Sequence, residues 1–335
     1  MNYRTLGRTG LRVSEIGFGC GNVGGMLVRG SHEEQIGAVQ RALDLGINYF
    51  DTASSYGDGL SETHLGEVLA ELRPDVGVAT KFRIRNEDMS DIRGAVQRSI
   101  EESLTRLGRD SVDVFQLHTQ ITEERSAGGR EVVGVADVLG SGGVADALDA
   151  VRSQGLIRFV GFTGMGDTSA LHKVVDSGRF DTVQAYYNLL NPSAGVAVQE
   201  RYAGQDFQCL MDRASERGMG VVVIRVMAGG ALGGPAARTG HASPTVGGAM
   251  VPGGEYDADD ARARKLEFLT TCDASSLPQA AVCFALGHAG ASMVLVGFSD
   301  VAQIEEATAC SGKSSLPETA MERLRELWAT DFGSG

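Results

Sequence analysis

Residues 46–57 read GINYFDTASSYG. A glycine follows a helical pattern, an apolar run INYFDTA (47–53) comes next, and the run gives way to a polar loop. Upstream, Ser31 opens an S-x-x-E capping box with Glu34, which marks a helix start. Gly46 falls where that helix needs a left-handed residue to stop. The stretch therefore joins one helix to one strand, and an acid and a phenol lie just past the strand.

The same unit recurs along the chain. Strand candidates are SEIGFG (14–19), INYFDTA (47–53), VGVATKF (76–82), SVDVFQLH (111–118), IRFVGFTG (157–164), DTVQAYYN (181–188), GVVVIRVM (220–227) and SMVLVGFS (292–299). Most are continuous apolar runs, as expected of parallel strands covered on both faces. Between them Ile92, Val96, Ile100 and Leu104 repeat every four residues along one helix face, and Gly108, Gly155, Gly178 and Gly218 follow helical patterns as Gly46 does. Eight strand–helix units in 335 residues favour a (β/α)8 TIM barrel. YRTLGRTGLRV (3–13) adds an N-terminal β-hairpin, and we expect one barrel domain over 1–335. An open doubly wound sheet is disfavoured, because GFGCGNVGG (17–25) does not fit G-x-G-x-x-G leading into a helix. Two long connections, 119–143 and 228–257, follow strand ends on the C-terminal face. Their small-residue content reads as mobile lids, with surface insertions as the alternative.

Composition narrows the functions. Forty-three acidic residues against 30 Lys plus Arg give a net charge of -13, a poor field for nucleic acid or anionic membranes. The opening MNYRTLGRTGLRVSE (1–15) has no apolar signal region, and no run is long enough to span a bilayer, so a cytoplasmic location is expected. Cys20, Cys209, Cys272, Cys283 and Cys310 are scattered without CxxC spacing and read as reduced thiols. Histidines at 32, 64, 118, 172, 241 and 288 form no H-x-H pair, so no metal site is expected.

Barrel strand ends converge on one cavity. Asp51 ends the second strand with Tyr56 in the loop after it, Lys81 ends VATK, and His118 ends DVFQLH. A lysine closing an apolar strand needs an acid to neutralise it, and Asp51 is at hand. Lys81 in turn can stabilise the phenolate of Tyr56, bringing its proton within reach of neutral chemistry. His118 then either binds a substrate oxygen or passes on a proton.

With these residues placed, GINYFDTASSYG, SETHLGEVL, VATK, SLTRLGRDSVDVFQLH, GLIRFVGFTG, VQAYYNLL, AGGAL and VGFSDVAQIEEA occur in the order of the aldo-keto reductase family, which the chain resembles nearly end to end. The resemblance implies a soluble oxidoreductase that moves a hydride between a nicotinamide and a carbonyl or alcohol: aldehyde, ketone or sugar. It makes Tyr56 the general acid, tuned by Lys81 and Asp51, with His118 orienting the carbonyl. It further implies a nicotinamide lying extended across the barrel mouth, contacted by Thr163, Gln184, Ile224 and Arg225. Gly229 in AGGALGG (228–234) and Gly297 would meet phosphates, and Ser299, Gln303 and Glu306 the adenosine end. Gly164 and Ala307 stand where the family usually has asparagines, and Ile224 where an aromatic commonly stacks.

NADP(H) leads as cofactor by family habit and NAD(H) follows, because Phe298, Ser299, Asp300 and Gln303 offer no cation for a 2′-phosphate. Asp300, if turned to the ribose, would favour NAD. The pocket for a small-molecule substrate is expected to involve Asn22, Val23, Met227 and Met250. The alternative is a nicotinamide-binding regulatory subunit with little catalysis. Oligomeric state has no signal in the sequence.

Overall fold

The computed structural model describes residues 1–125, 131–199, 202–233, 240–243, 256–271, 274–313 and 315–333. Strands β1 (Tyr3–Thr5) and β2 (Arg12–Ser14) pair antiparallel as the N-terminal hairpin. In chain order β3 (Ile16–Gly19), β4 (Tyr49–Asp51), β5 (Gly77–Phe82), β6 (Val112–Leu117), β7 (Gln120–Thr122), β8 (Val132–Gly134), β9 (Ile157–Thr163), β10 (Thr182–Tyr186), β11 (Gly220–Ile224) and β12 (Met293–Gly297) follow. All except β7 and β8 form a closed parallel barrel ordered β3-β4-β5-β6-β9-β10-β11-β12, with β12 returning to β3. The eight expected strands are the eight barrel strands.

Local signals explain the helices between them. The helix His32–Asp44 carries the Ser31/Glu34 capping box. The helix Ile92–Leu107 begins with the Asp91 side chain accepting from the Gly94 amide and buries Val96, Ile100 and Leu104 along one face. Gly46, Gly108, Gly155, Gly178 and Gly218 all have positive φ, from 61° to 89°. Outside the barrel wall these helices bury one large apolar cluster; inside it Tyr49, Ala79, Val114, Val222 and Met293 pack with Leu6 and Val13 of the hairpin region. The hairpin thus plugs the N-terminal end of the barrel, with the Arg8 amide donating to the Gly218 carbonyl at 2.7 Å. Chemistry is left to the other end.

The connection after β6 departs from the mobile-lid expectation. β7 and β8 pair as a small parallel sheet, the helix Val135–Leu139 follows, and Ile121 bridges to Gly166 beyond β9. Ile121, Val133 and Val138 are fully buried, and that burial offsets the entropy of ordering the segment. Of the second connection, Ala228–Gly233 forms a tight turn and Gly240–Ser243 lies against the β12 exit, while the rest up to 255, Met250 included, lies outside the described residues. Cys272 lies outside them too; Cys20, Cys209, Cys283 and Cys310 form no disulfide among the described residues. Among the described residues no helix is long and apolar enough to cross a membrane, and no cluster of His, Cys, Asp and Glu could hold a metal.

Candidate active site

Asp51 is the last residue of β4 and Lys81 lies near the end of β5, each with a side chain 1% exposed. The Lys81 ammonium donates to Asp51 Oδ1, to the Thr52 carbonyl at 2.8 Å and to Tyr56 Oη at 3.2 Å. All the protons an ammonium can offer are spent in one place. Lys81 Nζ is also 4.7 Å from the centre of the Tyr56 ring. His118, just past β6, is held by its amide bonding to the Phe82 carbonyl at 2.8 Å. Its ring meets the Tyr56 ring edge-on, with centroids 6.0 Å apart. The Nδ1 atom of His118 is buried and has no hydrogen-bond partner among the described residues.

Electrostatics sort the roles these groups can play. Burial alone would lower the Lys81 ammonium, but the Asp51 charge, with Tyr56 behind it, carries it above its ordinary range. Burial pushes the Asp51 carboxyl up, against Lys81 and two amide donors that favour the carboxylate. For Tyr56 the outcome differs from the expectation drawn from Lys81. Burial raises the phenol above its ordinary value, Lys81 pulls it down, and Asp51 pushes it up again. Burial is the largest of these influences, so Tyr56 keeps its proton. Burial, followed by the charges of Lys81, Arg83 and Arg225, holds His118 down at about 2. Its imidazole is therefore neutral around pH 7, able to donate one N–H bond but not to act as a charged acid.

The two amide donors are Gln116 and Gln184, whose nitrogens reach Asp51 Oδ2 at 3.0 and 2.7 Å. Gln184 was expected on a nicotinamide; here it joins the acid cluster, and Thr163 Oγ1 donates to its Oε1 at 3.4 Å. Gln116 escaped the sequence reading. The available signal was a glutamine inside the apolar strand VDVFQL, two positions before His118 and so on the same strand face.

The other residues line the rim across the barrel. Ile224 ends β11, and Arg225 after it has φ +59°, a left-handed conformation rare for a residue with a side chain. Its guanidinium sits 5.8 Å from the Tyr186 ring centre, yet its buried Nη1 has no hydrogen-bond partner among the described residues. Gly229 (φ +69°) lies in the turn Ala228–Gly233. Gly297 ends β12, where an added Cβ would lie 3.5 Å from the Gly24 amide nitrogen, so the two glycine turns face each other closely. Ser299 is 2% exposed with an Oγ unpartnered among the described residues, and its amide donates to Gln303 Oε1 at 2.9 Å. Glu306 accepts from the Ser276 hydroxyl. Asp300 does not have its carboxylate free for a ribose; it caps the helix Val301–Thr308 by accepting from the Gln303 amide at 2.9 Å. One nearby cation, Arg29, was missed. It bonds the Asn22 and His241 carbonyls at 2.6 and 2.8 Å, and the His241 amide reaches the Ser299 carbonyl at 3.4 Å.

Residues 15–329 match the model of the Aldo/keto reductase family. The sequence is 30% identical to L-galactose dehydrogenase of Arabidopsis thaliana, over 98% of this chain and 94% of that protein. Among solved structures, an aldo-keto reductase of Bacillus halodurans in its holo form superposes with a TM-score of 0.71 at 23% identity, covering 98% of this chain and 96% of that one. An aldo-keto reductase of Klebsiella pneumoniae in complex with NADPH gives 0.66 at 18% identity, with the same coverage of each chain. At these identities the two structures establish the fold alone.

Proposed function

Since the chain belongs to the aldo/keto reductase family, we propose that its nicotinamide-dependent carbonyl–alcohol chemistry is carried out at the Asp51, Tyr56, Lys81 and His118 cluster. The observation that carries this reading is the single ammonium of Lys81 bonded at once to Asp51, to the Thr52 carbonyl and to Tyr56 Oη.

NADP(H) is the leading cofactor, by analogy with the Klebsiella neighbour's NADPH complex, and NAD(H) is the second candidate. The residues present fit such a group. Arg225 Nη1 and Ser299 Oγ are buried donors without partners among the described residues, and the Gly229 and Gly297 turns bring bare backbone to the rim, where amides can meet phosphate oxygens. Thr163, Gln184 and Ile224 would lie toward the nicotinamide, and Ser299, Gln303 and Glu306 toward the adenosine. The cofactor, when bound, supplies or accepts the hydride at the substrate carbon.

The chain's own groups handle the oxygen. His118, as a neutral imidazole, donates an N–H bond to the carbonyl oxygen and orients it. Tyr56 Oη transfers its proton to that oxygen as it becomes an alcohol, and the resulting phenolate is stabilised by Lys81. In the reverse direction the phenolate takes the proton back. Asp51 keeps Lys81 charged and in place throughout. The substrate is a small carbonyl or alcohol compound. The activity that names the Arabidopsis relative makes aldoses, L-galactose first, the substrates to try. The scattered cysteines, without a disulfide among the described residues, fit a cytosolic location.

Tyr56→Phe tests the assignment. With turnover followed by nicotinamide absorbance, it should lower the rate by about two to four orders of magnitude, the scale of general acid catalysis, and leave cofactor binding intact. Near wild-type turnover would remove Tyr56 from the mechanism.

A further inference from the structure

Asp51 has two carboxylate oxygens, and only one of them meets the Lys81 ammonium. Oδ1 meets Lys81, while Oδ2 points away into a fully buried space where an unpaired carboxylate oxygen is costly. Two neutral amides meet it there, from Gln184 on β10 and Gln116 on β6.

Register explains how Gln116 gets there. It is the ladder partner of Lys81 on β5 and of Gly161 on β9. A Cβ at Gly161 would stand 2.9 Å from Gln116 Cγ and 2.3 Å from Thr182 Oγ1, so the bare glycine provides the room in which the glutamine lies. Gln116 is 1% exposed. Its donor spans from β6 over the neighbouring strand to the acid on β4.

We propose that Gln116 is a positioning residue of the proton-donating site: it holds the Asp51 carboxylate by its second oxygen and so sets how much of the Lys81 charge reaches Tyr56. The inference rests on the reading of Tyr56 as the proton donor. A carboxylate whose charge is shared among two amides and an ammonium grips the ammonium less tightly than one with fewer donors. Removing the Gln116 donor concentrates negative charge on the Lys81 side of Asp51, draws the ammonium away from Tyr56 and makes the phenolate harder to form.

The test is the pH dependence of aldose oxidation, with L-galactose as first probe and wild type, Gln116→Met and Gln116→Glu compared. Oxidation needs the phenolate, so its acid limb marks where Tyr56 loses its proton. Gln116→Met, similar in volume and without a donor, should move that limb up by about one pH unit, or about tenfold slower oxidation on the limb. Gln116→Glu keeps the shape but puts a second negative charge beside Asp51, and should move it further in the same direction. If Gln116 merely fills space, rates and melting temperatures fall while the limb stays where it is in both variants, and that result overturns the proposal. Should the Met variant not fold, the Glu variant decides alone. Tyr56→Phe, measured alongside, separates the two readings: if it retains turnover the parent assignment fails. If it loses turnover while neither Gln116 variant moves the limb, only this inference fails.

Discussion

The two sides of the barrel mouth are built differently. Around Asp51 and Lys81 the polar groups satisfy one another: Asp51 has donors on both oxygens and Lys81 spends every proton, while the neighbouring His118 Nδ1 stays unpartnered among the described residues. Around the exits of β11 and β12 buried donors are left over among the described residues, at Arg225 Nη1 and Ser299 Oγ, and Arg225 sits at a positive φ. A site that must hold a catalytic geometry before anything binds closes its hydrogen bonds internally. One that takes up a large anionic ligand keeps donors in reserve and bears the cost of leaving them unpaired. The contrast makes the first side sensitive in stability and the second sensitive in affinity.

Lys81→Met should break the first side most severely. It leaves Asp51 buried without its cation, a loss of about 3–5 kcal/mol of folding stability by denaturant titration, with turnover falling beyond easy measurement. A stable, active variant would show that the pair is dispensable. Arg225→Met probes the opposite side. Its Nη1 has no partner to lose among the described residues, so stability should hold within about 1 kcal/mol, while cofactor affinity falls by about 1.5–3 kcal/mol, the worth of a bond to a charged group. Protein fluorescence titration would read it, and an unchanged Kd would place Arg225 outside the cofactor contacts.

His118 offers a finer comparison, through pH. Its folded-state value lies near 2, below the ordinary 6.5, so the unfolded chain binds the extra proton first. The stability it contributes is present above pH 6.5 and declines as pH falls from there toward 2. His118→Gln should flatten the acid slope of melting temperature between pH 6.5 and 4; an identical slope would mean the imidazole titrates normally. The smallest effect is cofactor discrimination. With Asp300 engaged as a helix cap and the 298–303 turn without a cation, NADPH and NADH should bind within about tenfold, or about 1.4 kcal/mol. A hundredfold preference for NADPH would direct attention to Arg29 and His241, which lie against that turn.

Much of this was legible in one dimension. Apolar runs of strand length, Gly46 and its counterparts after each helix, and the Ser31/Glu34 box are local signals, set by backbone sterics and capping, and they marked all eight barrel strands. Asp51, Tyr56, Lys81 and His118 stood out because a reactive residue closing an apolar strand is conspicuous by itself. The segment after β6 was less legible: its content of small residues suggested a lid, whereas Ile121, Val133 and Val138 bury themselves in β7, β8 and the following helix. Burial against a distant neighbour leaves no local periodicity to read.

The sequence by itself determined the order of the strands and the chemical types delivered to one end of the barrel, since both depend on residues close together in the chain. Only the tertiary structure decided which group each of those residues faces. The ladder that sets Lys81 beside Gln116 and Gln116 beside Gly161 joins residues 30 or more positions apart, so no spacing in the chain announces it. The same holds for the proton on Tyr56. Burial raises it and Lys81 lowers it, and their balance depends on the packing of the entire mouth rather than on any motif.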